Sequence, residues 1–288
     1  MIKVNGKVIQ FEQFPNGETR LVKESVFVAL DTYEGTVDND VVNIEFKYED
    51  DSDLIKLLFV KKYLEQILAK GLFYYNLHIY YMPYSRMDRV ENNSPFTLKY
   101  VAEFINNLGF DELVVTEPHS DVTPALLNDS HAEFINVNLL EEVKEDVEFE
   151  DEIDYIVFPD NGASKRYSNL KVKNVLVGHK HRDFETGMIT SLDIIGNIND
   201  NGKKAIIVDD LSSYGGTFVA TAKELRKKGI EKVYLLVAHA ENSIFKGRLF
   251  DHVDKVFTTD SILTEQANWE NQKFVEKLHV FNIGEKGE

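Results

Sequence analysis

The segment Ala205–Leu225, AIIVDDLSSYGGTFVATAKEL, holds the residues whose types and spacing best suit chemistry. An apolar run delivers two adjacent carboxylates, Asp209 and Asp210, to its end; Ser212, Ser213, Tyr214, Gly215, Gly216 and Thr217 follow, and a helical pattern begins near Thr217. Open α/β sheets bind ligands at the carboxyl edge of their strands, and a glycine-bearing loop ahead of a helix turns backbone N–H groups toward a phosphate. The acidic pair suits ribose hydroxyls, held directly or through a metal. An ordinary strand-to-helix turn with a solvated acidic cap has the same spacing.

Four further clusters carry chemistry of the same kind. In MPYSRMDRV, Arg86 and Arg89 flank Asp88 just after an apolar run, and a guanidinium makes paired hydrogen bonds to phosphate oxygens. A surface ion-pair cluster is the plainer reading. His119, in TEPHSD, can bind a metal through one ring nitrogen or serve only structure. FPDNGASKRY presents Asp160 ahead of Gly162, Lys165 and Arg166 on a loop suited to diphosphate; alone, P-D-N-G is a turn. GHKHRDFETGMI concentrates Lys180, His181 and Arg182. Alternate residues of an extended segment share a side, so Lys180 and Arg182 can face one phosphate; a solvated basic loop is the alternative. Near the start, FPNGE reads as a turn between strands.

The elements that must position these groups follow an α/β pattern. Short runs of Val, Ile, Phe and Tyr alternate with stretches of helical period. Strands are expected over Ser25–Leu30, Val42–Phe46, Tyr74–Tyr81, Leu113–Thr116, Tyr155–Phe158, Val172–Val177, Ala205–Val208 and Val233–Val237, and helices over Asp53–Lys70, Pro95–Leu108 and Thr217–Lys228. The acidic stretch Glu141–Glu152 separates two halves of similar plan, which gives domains 1–145 and 146–288. Two domains suit 288 residues.

Composition limits the function classes. The formal charge of −17 repels nucleic acid and anionic lipid, so neither is an expected partner, and a polyanionic substrate needs a local basic site. With no cysteine, any metal must sit on oxygen or imidazole. Neither a leader nor a run of about 20 apolar residues is legible, and a cytoplasmic protein is expected.

In this order, from near Phe14 to near Ser261, the five motifs resemble those of the ribose-phosphate pyrophosphokinase family, which has the type I phosphoribosyltransferase fold. FPNGE is similar to the family's F-S-D-G-E, PYSRMDR to P-Y-x-R-Q-D-R, HSD to H-A-D, PDNGASKR to P-D-x-G-x-x-K-R, and the basic segment to a mobile loop with a K-R-R core. The resemblance implies two phosphoribosyltransferase-like domains, each a mostly parallel sheet flanked by helices. It implies transfer of the β,γ-diphosphate of ATP to the C1 hydroxyl of ribose 5-phosphate, with Mg²⁺. ATP would lie on Phe14, Asn16, Glu18, Arg86, Met87, Asp88 and His119; Mg²⁺ on His119 and Asp160; the sugar phosphate on Asp209, Asp210 and Ser212 to Thr217. Lys180 and Arg182 would be the catalytic cations. A homo-oligomer, a dimer at least and by family habit a hexamer, is implied, with Phe14's loop reaching a neighbour's ATP.

The departures matter as much. Asn16 stands for the usual Asp, Met87 for Gln and Val90 for Lys; the family's D-T-G-G-T loop is here Ser213-Tyr214-Gly215-Gly216-Thr217. Tyr214 in place of a small Thr leaves ADP-ribose open as the acceptor, because a continuing 5-phosphate needs fewer donors and an aromatic ring can stack on a base. A catalytically silent regulatory homologue and a phosphoribosyltransferase are the other readings. The latter would need neither FPNGE nor R-x-D-R.

Overall fold

In the computed structural model, residues 1–31, 40–69, 71–91, 94–182, 189–198, 203–264 and 268–284 are described. They form two units, Met1–Phe134 and Ile135–Glu288. The division expected at 145/146 falls earlier, because helix Asn136–Asp146 buries Leu140 and Val143 against the second unit's sheet.

The first unit begins with β1 (Ile2–Val4), β2 (Lys7–Val8), the hairpin β3 (Phe11–Gln13) and β4 (Thr19–Leu21), then α1 (Lys23–Asp31). It continues through β5 (Val41–Phe46), α2 (Ser52–Ile67), β6 (Tyr74–Ile79), α3 (Thr97–Asn106), β7 (Glu112–Thr116), α4 (Val122–Leu126) and β8 (Ser130–Glu133). The sheet order is β2-β1-β5-β6-β7-β8, with β5 to β8 parallel and β1 antiparallel to both its neighbours. Ile44, Phe46, Leu77, Ile79, Leu113 and Val115 turn one face of it to Leu57, Val60 and Leu64 of α2 and Leu98 and Ile105 of α3. Parallel strands joined by helices place every strand's carboxyl end along one edge.

The strand expected over Ser25–Leu30 is instead the helix α1. A strand would bury alternate residues. Here Val26 and Ala29 are buried, three apart, while Val28 is 56% exposed. The Ser25 hydroxyl donates to the Val22 carbonyl at 2.7 Å and accepts from the Gln10 amide at 3.0 Å, which starts the turn.

The second unit runs α5 (Asn136–Asp146), β9 (Tyr155–Phe158), α6 (Asn161–Arg166), β10 (Val175–Arg182), β11 (Ile189–Ile195), β12 (Lys204–Ser212), α7 (Gly216–Lys227), β13 (Lys232–Ala240), α8 (Leu249–His252), β14 (Lys255–Thr259) and β15 (Leu278–Phe281). Its sheet order is β11-β10-β9-β12-β13-β14-β15, parallel except for the β10/β11 pair. Helices cover both faces. Phe218, Ala222 and Leu225 of α7 and Leu249 of α8 meet Val157, Ile207, Leu235 and Val256; Leu140, Val143 and Ala163 meet Ile156, Ile206, Val208 and Leu236. Consecutive β12 residues thus point into opposite cores, which is why AIIV reads as an unbroken apolar run.

Candidate active site

In the second unit, β12 extends past its apolar run to Ser212, so Asp209 and Asp210 lie on the strand rather than in a loop. Arg166 closes over them from the end of α6. Its Nη1 lies 2.8 Å from Asp210 Oδ1 and 3.5 Å from Asp209 Oδ1; the three side chains keep 12, 6 and 16% of their exposure. Burial first, then the charge of Asp210 and its hydrogen bond, then the charge of Asp160, push the Asp209 carboxyl well above its usual value against the pull of Arg166. For Arg166, burial disfavours the charge, yet Asp210 and Asp209 outweigh it and the guanidinium is held protonated. The loop expected around Gly162, Lys165 and Arg166 is therefore a helix. Asp160 caps it by accepting from the Ala163 amide at 3.0 Å, as a β-region aspartate at a helix start does.

Behind the acidic pair stands Asn136, fully buried at the start of α5. Its Nδ2 donates to the Asp209 carbonyl and to the Tyr167 hydroxyl, both at 2.8 Å.

The residues after β12 form a backed loop. Ser212 is buried, Ser213 half-buried and Tyr214 59% exposed. Gly215 is the cap of α7 at φ +77°, and a Cβ there would stand 2.9 Å from Leu249 Cβ. A Cβ at Gly247 would stand 2.1 Å from the Tyr214 carbonyl oxygen, so the 247–249 segment presses directly on the loop's backbone. At Gly216 nothing lies within 4 Å of a built Cβ; the fold does not need that glycine, and its openness leaves the α7 amides approachable. With Thr217 these first-turn N–H groups have no partner four residues back, which suits an anion. The Ser213 hydroxyl donates to Glu241, which also accepts from Ser243 Oγ at 3.0 Å.

The basic segment continues β10, where the expected strand over Val172–Val177 is shifted to Val175–Arg182. Lys180 pairs with Leu192 and Arg182 with Ile189, and the ladder is irregular between His181 and Arg182. The side chains of Lys180 and Arg182, and residues 183–188 entirely, lie outside the described residues.

In the first unit, the chain leaves β6 through a turn in which Tyr84 takes φ +62° and its hydroxyl donates to Asp51 Oδ1 at 2.6 Å. This holds 85–88 at the sheet's carboxyl edge. Asp88 is buried and paired with Arg89 through Nε at 2.7 Å and Nη2 at 3.1 Å. Arg89's hydrogen bonds, then Ser120's, hold the Asp88 carboxyl below its usual range, with the His119 charge adding to the shift. The structure so brings Asp88 and His119 together. Arg86 is exposed, Met87 and His119 half-buried. Sequence reading missed Glu117, buried at φ +44° where the chain turns out of β7 toward His119; a bulky residue in that conformation is rare.

FPNGE is the tip of the β3/β4 hairpin. The Phe14 amide donates to the Glu18 carbonyl at 2.8 Å, and the Asn16 Nδ2 to Glu18 Oε2 at 2.9 Å. Phe14 is 44% exposed. Among the described residues no group of three or more His, Asp or Glu side chains is arranged to hold a metal ion. A magnesium ion takes one or two protein ligands and completes its octahedron with water and substrate phosphates. His119 belongs to the first unit and Asp160 to the second. No helix among the described residues is long and apolar enough to cross a membrane.

Comparison with known proteins bears on the fold and the sequence likeness. The profile of a phosphoribosyl synthetase-associated domain matches residues 160–281. The ribose-phosphate pyrophosphokinase of Thermoplasma volcanium is 25% identical over 76% of this chain and 78% of its own. That of Bacillus subtilis is 24% identical over 94% of this chain and 81% of its own. The solved structure of phosphoribosylpyrophosphate synthetase from Mycobacterium smegmatis shares the fold, with a TM-score of 0.70 at 20% identity over 96% of this chain and 87% of that one. Motif order, two mostly parallel sheets and relatives matched over most of their length converge on one likeness: the chain is similar to the ribose-phosphate pyrophosphokinases and shares the fold of a phosphoribosylpyrophosphate synthetase.

Proposed function

We propose that this chain transfers the β,γ-diphosphate of ATP to the C1 hydroxyl of a ribose 5-phosphate acceptor, giving the 1-diphosphate and AMP. The observation that carries the reading is the Asp209–Asp210 pair, clamped by Arg166 directly ahead of the Ser213–Thr217 loop. Carboxylates accept from vicinal sugar hydroxyls, and the open amides of α7 take the 5-phosphate.

The C1 oxygen attacks the β-phosphorus, the bond from that phosphorus to the α,β-bridging oxygen breaks, and the hydroxyl proton passes to solvent. Positioning and charge stabilisation supply most of the catalysis in such a transfer. Lys180 and Arg182 are assigned to the charge that builds on the transferred group. Arg86 and the Asp88–His119 pair form the nucleotide side, with Met87 beside them. His119 and Asp160 are the residues assigned to magnesium, which would neutralise phosphate charge when bound with ATP. Arg166 orients Asp209 and Asp210 for the sugar and opposes the rise of the Asp209 carboxyl. Phe14, Asn16 and Glu18, on a solvent-facing hairpin, are assigned to a neighbouring subunit's ATP, so the working form is a dimer at least.

A second acceptor, ADP-ribose, is favoured by one observation. Tyr214 projects from the loop with 59% of its surface exposed, where a ring can stack on a base beyond the 5-phosphate. Both readings are tested by supplying ATP and Mg²⁺ with ribose 5-phosphate or ADP-ribose and following AMP release and the phosphorus spectrum. New diphosphate on C1 with at least one acceptor is expected. No AMP with either refutes the reading and leaves the silent homologue.

A further inference from the structure

The loop that takes the 5-phosphate in this reading carries an acidic group from elsewhere in the chain. Glu241 follows β13, the neighbour of β12, and the register pairs Ser212 with Ala240, so Glu241 arrives level with Ser213. Its backbone amide donates to the Ser212 carbonyl at 2.9 Å. Its carboxylate accepts from both the Ser213 and the Ser243 hydroxyls.

We infer that Glu241 is a specificity-determining residue of this loop, selecting a singly charged phosphodiester over a doubly charged phosphate monoester at the acceptor's 5-position. The inference rests on the reading of Ser213–Thr217 as the acceptor loop. Two physical effects act in the same direction. A hydroxyl has one hydrogen, and that of Ser213 is directed to Glu241, so the loop's first side chain offers the phosphate no donor while the bond persists. A carboxylate one hydrogen bond behind the loop also repels incoming phosphate in proportion to the phosphate's charge. A monoester carries nearly two charges near neutral pH on one phosphorus; the 5-phosphorus of ADP-ribose carries one, the second charge lying on the next phosphorus across an anhydride oxygen. Phe245, Lys246 and Gly247 continue from Glu241 into the segment that presses on the Tyr214 carbonyl, so the carboxylate and the loop are held by one stretch of chain.

The test compares KM and kcat for ribose 5-phosphate and ADP-ribose in the unmodified protein and in Glu241→Gln, with full-length protein, ATP and Mg²⁺. Gln keeps an acceptor for Ser213 and removes one unit of negative charge. At partly exposed sites a unit charge a few ångströms away is worth about a tenfold change in affinity per unit of ligand charge. KM should therefore fall at least about tenfold for ADP-ribose and more for ribose 5-phosphate, raising the monoester-to-diester preference by a factor of up to about ten with little change in kcat. A merely structural role would move both acceptors equally or change kcat. If Glu241→Gln does not fold, Glu241→Asp draws the carboxylate back by one methylene and should shift the ratio the same way by a smaller factor. An unchanged ratio, with acceptors still turned over, overturns the inference and leaves the proposed function standing. No turnover of either acceptor by the unmodified protein overturns the proposed function and the inference with it.

Discussion

Replacing Arg166 with Met removes the one guanidinium that bridges Asp209 and Asp210 while keeping most of its apolar bulk. At an effective dielectric constant of about 20, unit charges separated by the observed 2.8 and 3.5 Å attract by roughly 6 and 5 kcal/mol. Desolvation of the three groups cancels most of that gain. Removing one partner of a buried pair nonetheless costs about 3–5 kcal/mol, because the remaining charge stays buried without compensation. Here the lower end applies, since one carboxyl can take up a proton instead. For a unit of this size about 3 kcal/mol corresponds to a Tm lower by roughly 10 °C. The pH dependence gives the sharper test. Without Arg166 both carboxyls are harder to ionise in the folded protein, so the folded state binds protons that the unfolded chain has released, and stability is lost as pH rises through the folded values. Thermal unfolding followed by circular dichroism at pH 8 and pH 5 should show a large deficit at pH 8 that shrinks at pH 5. Adding Asp210→Asn should recover much of it. A Tm within about a degree of the unmodified protein, or a deficit of equal size at both pH values, would refute the assignment of Arg166 as the clamp.

Three further outcomes are expected. The Asp209 carboxyl is raised above its ordinary value of 3.8, so its contribution to stability is complete below that value and lost as pH rises through its folded value. Asp209→Asn should then be more stable than the unmodified protein at pH 8 by about 1 kcal/mol, with the advantage fading toward pH 4 and sugar binding lost; equal melting at pH 8 counts against the raised carboxyl. Gly215→Ala forces a side chain into φ +77° and against Leu249, and should cost about 1–2 kcal/mol in urea unfolding while raising the acceptor KM more than the ATP KM. Lys180→Ala should raise the barrier by about 2–4 kcal/mol, read as kcat in a steady-state AMP assay; a near-normal kcat removes this lysine from the mechanism.

The sheets were legible because each central strand is a short apolar run bounded by polar residues, and β5, β6, β7, β9, β12 and β13 fall where those runs lie. Short amphipathic segments carried less information. Ser25–Leu30 has too few residues to separate period two from period 3.6, and the structure chose the helix by burying Val26 and Ala29. The strand β10 continues into residues chosen for charge, so no apolar pattern announced that Lys180 and Arg182 lie on it. At the candidate site, the segment from Asp209 to Thr217 stands out in the sequence because it is contiguous, running from the end of β12 into α7. Its supports do not: Asn136 acts on it across 73 residues and Glu241 across 28. A lone Asn or Glu in a chain with 49 acidic residues gives no local signal.

The same supports explain why the second unit's edge is built against its own stability. Asp209 and Asp210 share one guanidinium, and Asp209 is pushed up despite it, with the charge of Asp160 adding to the push. A fold selected for stability alone would replace such a cluster with apolar residues of similar volume, often at a gain. Retention makes physical sense if something else completes the charge balance: sugar hydroxyls that donate to the carboxylates, or a cation that arrives with phosphates. Arg166 then has a double effect. It offsets part of the repulsion between the acids, and it fixes their geometry so that ligand donors meet acceptors already in place. Repulsion held in the unliganded protein is relieved on binding, which makes the acidic edge selective for ligands rich in hydroxyls. Anions must then be held by other groups, for which the α7 amides are suited, and that division of labour is what a sugar phosphate requires.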